Sequence, residues 1–144
     1  MRFMVQVRAT PGTEAGVMPE PEMFAAMGAF NDKLIAGGHM LAGDGLRDSS
    51  YGARIVWKDG KQSVIDGPFA ETKELIAGFW IVDFPSKAAV VEFFKDCPPP
   101  TEGGEGTLEI RKIFEPSDFE GHAPPEMLAK EEAFNRERGL AGRA

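Results

Sequence analysis

The stretch Asp66-Gly67-Pro68-Phe69-Ala70-Glu71-Thr72-Lys73-Glu74-Leu75-Ile76-Ala77-Gly78-Phe79 sets Asp, Glu, Lys and Glu within nine positions, between two apolar runs. Carboxylates beside an ammonium are raw material for acid–base chemistry. The cation holds a neighbouring carboxylate ionised, and the carboxylate can then take or return a proton. Asp66 beside Lys73 is the first candidate base, and Glu71 the second. The same residues also suit a plain corner. An Asp before Gly-Pro can turn its carboxylate onto backbone N–H groups as the chain leaves a strand. Glu71, Lys73 and Glu74 can line a polar pocket under Phe69 and Leu75, or form a solvated turn of mixed charge.

Asp44 lies between Gly43 and Gly45, where backbone freedom allows either close ligand approach or a simple turn. Arg111 can bind an anionic ligand, pair with one of these acids across a sheet, or pair with Glu109 two residues away. His39 is a candidate proton shuttle, as histidine often is, although its place at a helix exit also suits a structural role. His122 falls in a polar tail and reads as solvated. Cys97 continues an apolar helical stripe, as a buried inert thiol would. The two His and one Cys are far apart and make no metal motif. No glycine-rich phosphate loop or nucleophile elbow is present, so no cofactor is expected.

The elements that must position these residues follow from periodicity. Phe3, Val5 and Val7 alternate with Met4, Gln6 and Arg8 in a first strand, which Thr10-Pro11-Gly12 ends. A loop through Pro19 and Pro21 leads to a helix whose stripe is Met23, Met27, Phe30 and Leu34, widened by Phe24 and Ile35. That stripe is taken as core, with a hydrophobic ligand wall as the other reading. Gly37-Gly38 stops the helix. His39 to Leu46 reads as an edge strand. Asp59-Gly60 between 53–58 and 61–66 marks a tight hairpin. Phe79 to Phe84 is apolar on both faces, which predicts a strand buried on both sides. Ser86 caps a second helix carrying Val90, Phe93, Phe94 and Cys97, and Pro98-Pro99-Pro100 follows. Leu108 to Ile113 is the last strand. Beyond Glu115 a linker precedes an exposed helix over 126–138, with Glu126–Lys130 and Glu132–Arg136 spaced as i,i+4 pairs.

With 144 residues, one domain is expected, here 1–115 with a C-terminal extension over 116–144. A net charge of −7 and scattered Lys and Arg argue against direct binding of nucleic acid or an anionic membrane. No apolar run approaches the ~20 residues that span a bilayer. One cysteine and a first strand in place of a signal peptide point to the cytoplasm.

Strand, helix, strands, helix, strand is an α+β order of ferredoxin-like type, an antiparallel sheet with two helices on one face. The helices cannot cover the other face, to which Phe79–Phe84, apolar on both faces, contributes and Met4 and Ile113 add. An apolar sheet face in water marks an interface, so a homodimer of the dimeric α/β-barrel kind is expected.

The chain resembles the YCII-related family, in its DGPF branch. The resemblance rests on Arg2-Phe3-Met4, Gly43-Asp44-Gly45-Leu46, Asp59-Gly60, the nonapeptide 66–74, Gly78-Phe79, Asp83-Phe84-Pro85-Ser86 and Glu109-Ile110-Arg111. It implies a ferredoxin-like dimer and a link with sigma-factor transcription control. Some broader relatives are proposed to pair a His on the first helix with an Asp as acid and base. Residues 23–35 hold no His, and Asp44 sits roughly where that Asp falls. Two functions are therefore expected of the chain. One is a ligand-binding or regulatory accessory module, with the extension free to contact a protein partner. The other is a cofactor-independent enzyme using Asp66, Glu71 or Asp44 on a small organic substrate, with Lys73, Glu74, Arg111 and His39 as binding residues.

Overall fold

The computed structural model describes residues 1–142, with the backbone alone at Glu102; Arg143 and Ala144, the end of the expected extension, lie outside the described residues. Strand β1 (Arg2–Arg8) buries Phe3, Val5 and Val7, as the alternation requires. Where a loop was expected, Pro11–Glu14 closes into a short helix, α1. Thr10 Oγ1 accepts from Thr13 N at 3.2 Å and Thr13 Oγ1 accepts from Thr10 N at 2.8 Å. Two orphan donors are satisfied reciprocally, which closes the turn.

Helix α2 (Pro21–Ala36) buries Phe30 and Leu34. Phe24 and Ile35 do not widen its core face; they are 56% and 60% exposed. The fully buried part of its stripe lies in the C-terminal half of α2, with Met27 half-buried against the same core. Strand β2 (Met40–Gly45) follows, then the hairpin of β3 (Ala53–Lys58) and β4 (Lys61–Asp66). Its turn holds Asp59 at φ 52° and Gly60 at φ 72°, the paired positive angles of a type I′ turn. Strand β5 (Ile76–Asp83) starts three residues before the expected Phe79, because Ile76 and Gly78 continue the ladder opposite Arg8 and Val7. Helix α3 (Lys87–Phe94) is capped by Ser86, whose Oγ accepts from Ala89 N at 3.1 Å. It ends before Cys97, which is half-buried beyond it. Burial pushes that thiol up to about 11, so it is protonated at neutral pH. Strand β6 (Leu108–Lys112) and helix α4 (Pro125–Glu137) complete the chain.

Four strands form an antiparallel sheet in the order β2-β5-β1-β6. With α2 and α3 as crossovers, this α+β architecture is compatible with a ferredoxin-like arrangement. Phe30 and Leu34 of α2 and Val90 and Phe94 of α3 meet Val5, Trp80, Val82 and Phe84 in one core. Phe30 is its hub, with ring centroids 5.2 Å from Phe94 and 6.3 Å from Trp80. The strands β3 and β4 pair with each other in a separate two-stranded sheet.

The opposite face of the large sheet behaves differently along its length. Phe79 and Ile81, expected to be buried, are half-buried within one chain, as is Met4. Arg2 and Asp83, which pair across β1 and β5, are 7% and 6% exposed because the tail returns over them. Arg2 Nη1 donates to Leu140 O at 3.3 Å, and Gly142 lies so near that a Cβ there would sit 3.4 Å from Asp83 Oδ1. Neither i,i+4 pair of α4 forms an ion pair among the described residues. Tertiary anchoring through Arg2 holds the tail instead. Among the described residues no helix is long and apolar enough to cross a membrane.

Candidate functional site

The N-terminal half of α2, of which only Met27 packs against the core, stands over the edge of the sheet. Between them runs a groove of about 610 Å³ walled by Met23, Phe24, Met27, Met40 and Trp80. Its depth follows from packing. Phe30 and Leu34 pin one end of α2 to the sheet, and Asn31 fixes the floor by accepting from Trp80 Nε1 at 2.9 Å. Gly43 is part of the same fit, since a Cβ there would lie 2.8 Å from Met40 Cε and 3.0 Å from Trp80 Cδ1. Packing against the groove floor, rather than ligand approach, excludes a side chain at that position. Asp44, at the end of β2, lines the mouth with Arg47 and Asp48. Asp48 is committed locally. It accepts from Ser50 N at 3.1 Å, and the Ser50 hydroxyl beside it holds its carboxyl below the usual carboxylate range. The Asp44 side chain is exposed and makes no hydrogen bond or ion pair among the described residues. It is the candidate carboxylate available to an occupant of the groove.

The stretch from Asp66 to Glu74 is a locked corner outside that groove. Ser49 is the lock. Its Oγ accepts from Phe69 N at 2.9 Å, and its own N donates to Glu14 Oε1 at 3.1 Å. Gly67 N donates to Gly52 O at 2.9 Å, and a Cβ on Gly67 would fall 1.7 Å from Ser49 O. The Arg54 guanidinium lies 3.9 Å over the Phe69 ring, and an Arg8 guanidinium N–H donates to the Lys73 carbonyl. The corner is thus held by Ser49, Arg54 and Arg8, not by the carboxylate of Asp66. Asp66, Glu71, Lys73 and Glu74 are all exposed, and none forms an ion pair among the described residues.

Two other candidates are also accounted for. His39 Nδ1 donates to Asp83 O at 2.8 Å, and its ring stacks on Phe84 at 4.0 Å with a 6° tilt. It sits at the opposite end of β2 from Asp44, about 16 Å away at ~3.3 Å per residue. Arg111 is exposed on the sheet face away from the helices, beside Met4. Glu109, expected as its partner, pairs with Arg8 Nη1 at 3.6 Å. The structure therefore brings Asp44 to a groove and leaves the other candidates apart from it. Among the described residues no group of three or more His, Cys, Asp or Glu could hold a metal ion.

A family model for the YCII-related domain matches residues 1–117. The chain belongs to the YCII-related family. An uncharacterized protein of Rhizobium meliloti (strain 1021) is 29% identical over 87 residues, covering 60% of this chain and 69% of that one. Within this YCII-related chain, α2 turns Met23 and Met27 to the groove. The groove residues were visible in the sequence only as part of a Met- and Phe-rich stripe. Ser49 and Glu14 carried no signal, because their roles depend on contacts 20 and 35 residues away.

Proposed function

We propose that this YCII-related protein is a homodimeric binding module whose ligand is a small, largely apolar molecule seated between α2 and β2. The supporting observation is the groove itself. Its volume of about 610 Å³ lies within the range of small-molecule sites, its walls are thioether and aromatic, and one uncommitted carboxylate stands at its mouth. Methionine adapts its shape to irregular ligands, while Asp44 favours a cationic or hydrogen-donating end. N-Phenyl-1-naphthylamine, an uncharged apolar fluorophore, is the probe. Its emission should rise on binding at one site per chain, and Met27→Trp, which fills the groove, should weaken binding at least tenfold. Binding that is absent, or indifferent to Met27→Trp, overturns the proposal.

The same carboxylate supports acid–base chemistry as the second reading, because Asp44 can touch a reacting atom in the groove whereas Asp66 and Glu71 face solvent outside it. That reading requires Asp44→Asn to abolish turnover while leaving the probe bound.

The second copy covers the sheet face opposite the helices, completing a barrel of the dimeric α/β kind. Met4, Phe79 and Ile81 are cross-strand neighbours there, flanked by Gln6, Glu109 and Arg111. An apolar strip ringed by polar groups is the usual composition of an interface. Ile81→Asp puts a charge at its centre and should convert a dimer to monomers in sedimentation at micromolar concentration. A variant that sediments like the wild-type dimer refutes this face as the contact.

A further inference from the structure

Asn31 is a polar residue on an apolar stripe. It follows Met23 and Met27 at successive four-residue steps, so these side chains share one face of α2, and all of them line the groove. An amide in that company needs a partner for each of its polar ends. Its oxygen has one. The indole N–H can only donate, so the atom that meets Trp80 Nε1 at 2.9 Å is the amide Oδ1. That bond fixes the carboxamide and turns Nδ2, with its two N–H donors, away from the indole. Nδ2 makes no hydrogen bond among the described residues. Nor is it sealed in: Asn31 is partly exposed, and among the described residues no buried side-chain nitrogen or oxygen lacks a partner. Oriented, uncharged donors therefore stand open in the groove.

The other polar side chains of the groove are engaged or lie at its mouth. The Thr13 hydroxyl donates to Thr10 O at 3.0 Å, Asp48 accepts from Ser50 N, and the Arg47 guanidinium lies 4.7 Å over the Tyr51 ring. We infer that Asn31 determines the specificity of the groove, and that its ligand carries an uncharged carbonyl oxygen, as a ketone, ester or amide does, which accepts from Nδ2. The surroundings select that group. Walls of thioether and ring carbon do not offset the desolvation of a carboxylate, whereas a carbonyl oxygen needs only the hydrogen bonds that Nδ2 supplies. A purely hydrocarbon ligand would strip water from Nδ2 and return nothing, and a donor left unmade in that way costs more than a made one gains. The inference rests on the groove's taking a small apolar ligand, and is independent of the homodimer and of Asp44.

Two naphthalenes of similar shape test it. 2-Propionylnaphthalene has the carbonyl, and 2-propylnaphthalene has a methylene in its place. Each is made to displace N-phenyl-1-naphthylamine from the full chain, and the ratio of the two dissociation constants is compared between proteins. Asn31→Leu removes the donors and should move the ratio against the ketone about fivefold, as the loss of one neutral hydrogen bond does. It also takes the acceptor from Trp80 Nε1, but packing damage weakens both probes alike and cancels in the ratio. Asn31→Asp keeps that acceptor, and with it the fold. At pH 8 its carboxylate is ionised and has no donor, so the ratio should move against the ketone by about tenfold or more. A ratio unmoved in both variants, while N-phenyl-1-naphthylamine binds wild type and Met27→Trp weakens it, overturns the role of Asn31 and leaves the groove standing. Absence of binding by all three probes overturns both readings.

Discussion

Gly67→Ala is expected to lower the stability of this protein by about 3 kcal/mol or more, because overpacking against backbone has no side chain to relieve it. The added Cβ would lie 1.7 Å from Ser49 O and 2.6 Å from Ser49 C, with Gly52 O 3.3 Å away. The strand end and the preceding loop must separate. In doing so they lose the bonds from Gly67 N to Gly52 O and from Phe69 N to Ser49 Oγ. The melting temperature should fall by roughly 6–12 °C, at ~2–4 °C per kcal/mol for a chain of this size. Gly45→Ala is the control, since nothing lies within 4 Å of a Cβ there. Its melting temperature should stay at or slightly above that of wild type through lost unfolded-state entropy. Urea unfolding of Gly67→Ala within about 1 kcal/mol of wild type would sink this account of the corner. The damage should also reach the hairpin, whose base is that corner, so the β3–β4 pairing should loosen along with the loss of stability.

Arg2→Ala is expected to release the C-terminal tail and cost about 3 kcal/mol, as losing the charged member of a buried hydrogen-bonded set does. Arg2 is 7% exposed. Its Nε meets Glu115 Oε2 at 3.1 Å, one terminal nitrogen donates to Phe114 O at 3.0 Å, and the other to Leu140 O at 3.3 Å. Four attachments thus run through one guanidinium and its own backbone N, which donates to Glu115 Oε1 at 3.1 Å. Without the side chain, Glu115 keeps only the Arg2 backbone N–H, the Phe114 and Leu140 carbonyls lose this donor, and the tail regains solvent by swinging away. Limited proteolysis should then cut within 118–125 several times faster while the sheet persists by circular dichroism. Arg2→Lys should behave nearly as badly, because an ammonium cannot span acceptors that a planar fork reaches together. Cleavage at the wild-type rate in Arg2→Ala would show that the tail is held elsewhere.

Release of the tail bears on assembly. Leu140 and Gly142 cover Arg2 and Asp83 at one end of the sheet face on which Met4, Phe79 and Ile81 remain open. In the proposed homodimer, the extension would set how much of that face the second copy can meet.

Much of the framework was legible because its causes are local. The alternation of Phe3, Val5 and Val7, the Ser86 cap and the Asp59-Gly60 turn each depend on residues within a few positions. Helix α2 was legible as a helix but not in its two halves. Met23 and Phe30 share a stripe, and only the sheet beneath decides that one walls a groove while the other is core. The short helix α1 was missed because Thr10 and Thr13 cap each other, a pairing hidden behind Pro11-Gly12.

The stretch 66–79 shows the same division in its sharpest form. The sequence by itself determined a family, a strand leaving a tight hairpin, and a concentration of charge at a turn. Which carboxylate meets a cavity was decided by tertiary structure. Asp44 and Asp66 both stand beside glycine at the end of a strand, and nothing in their neighbours separates them. The edge of the sheet carries Asp44 to the groove beside α2, while Ser49 folds the other strand end away into solvent. Local preference fixes the shape of each segment, but exposure and proximity are properties of surfaces that chain-distant residues build together.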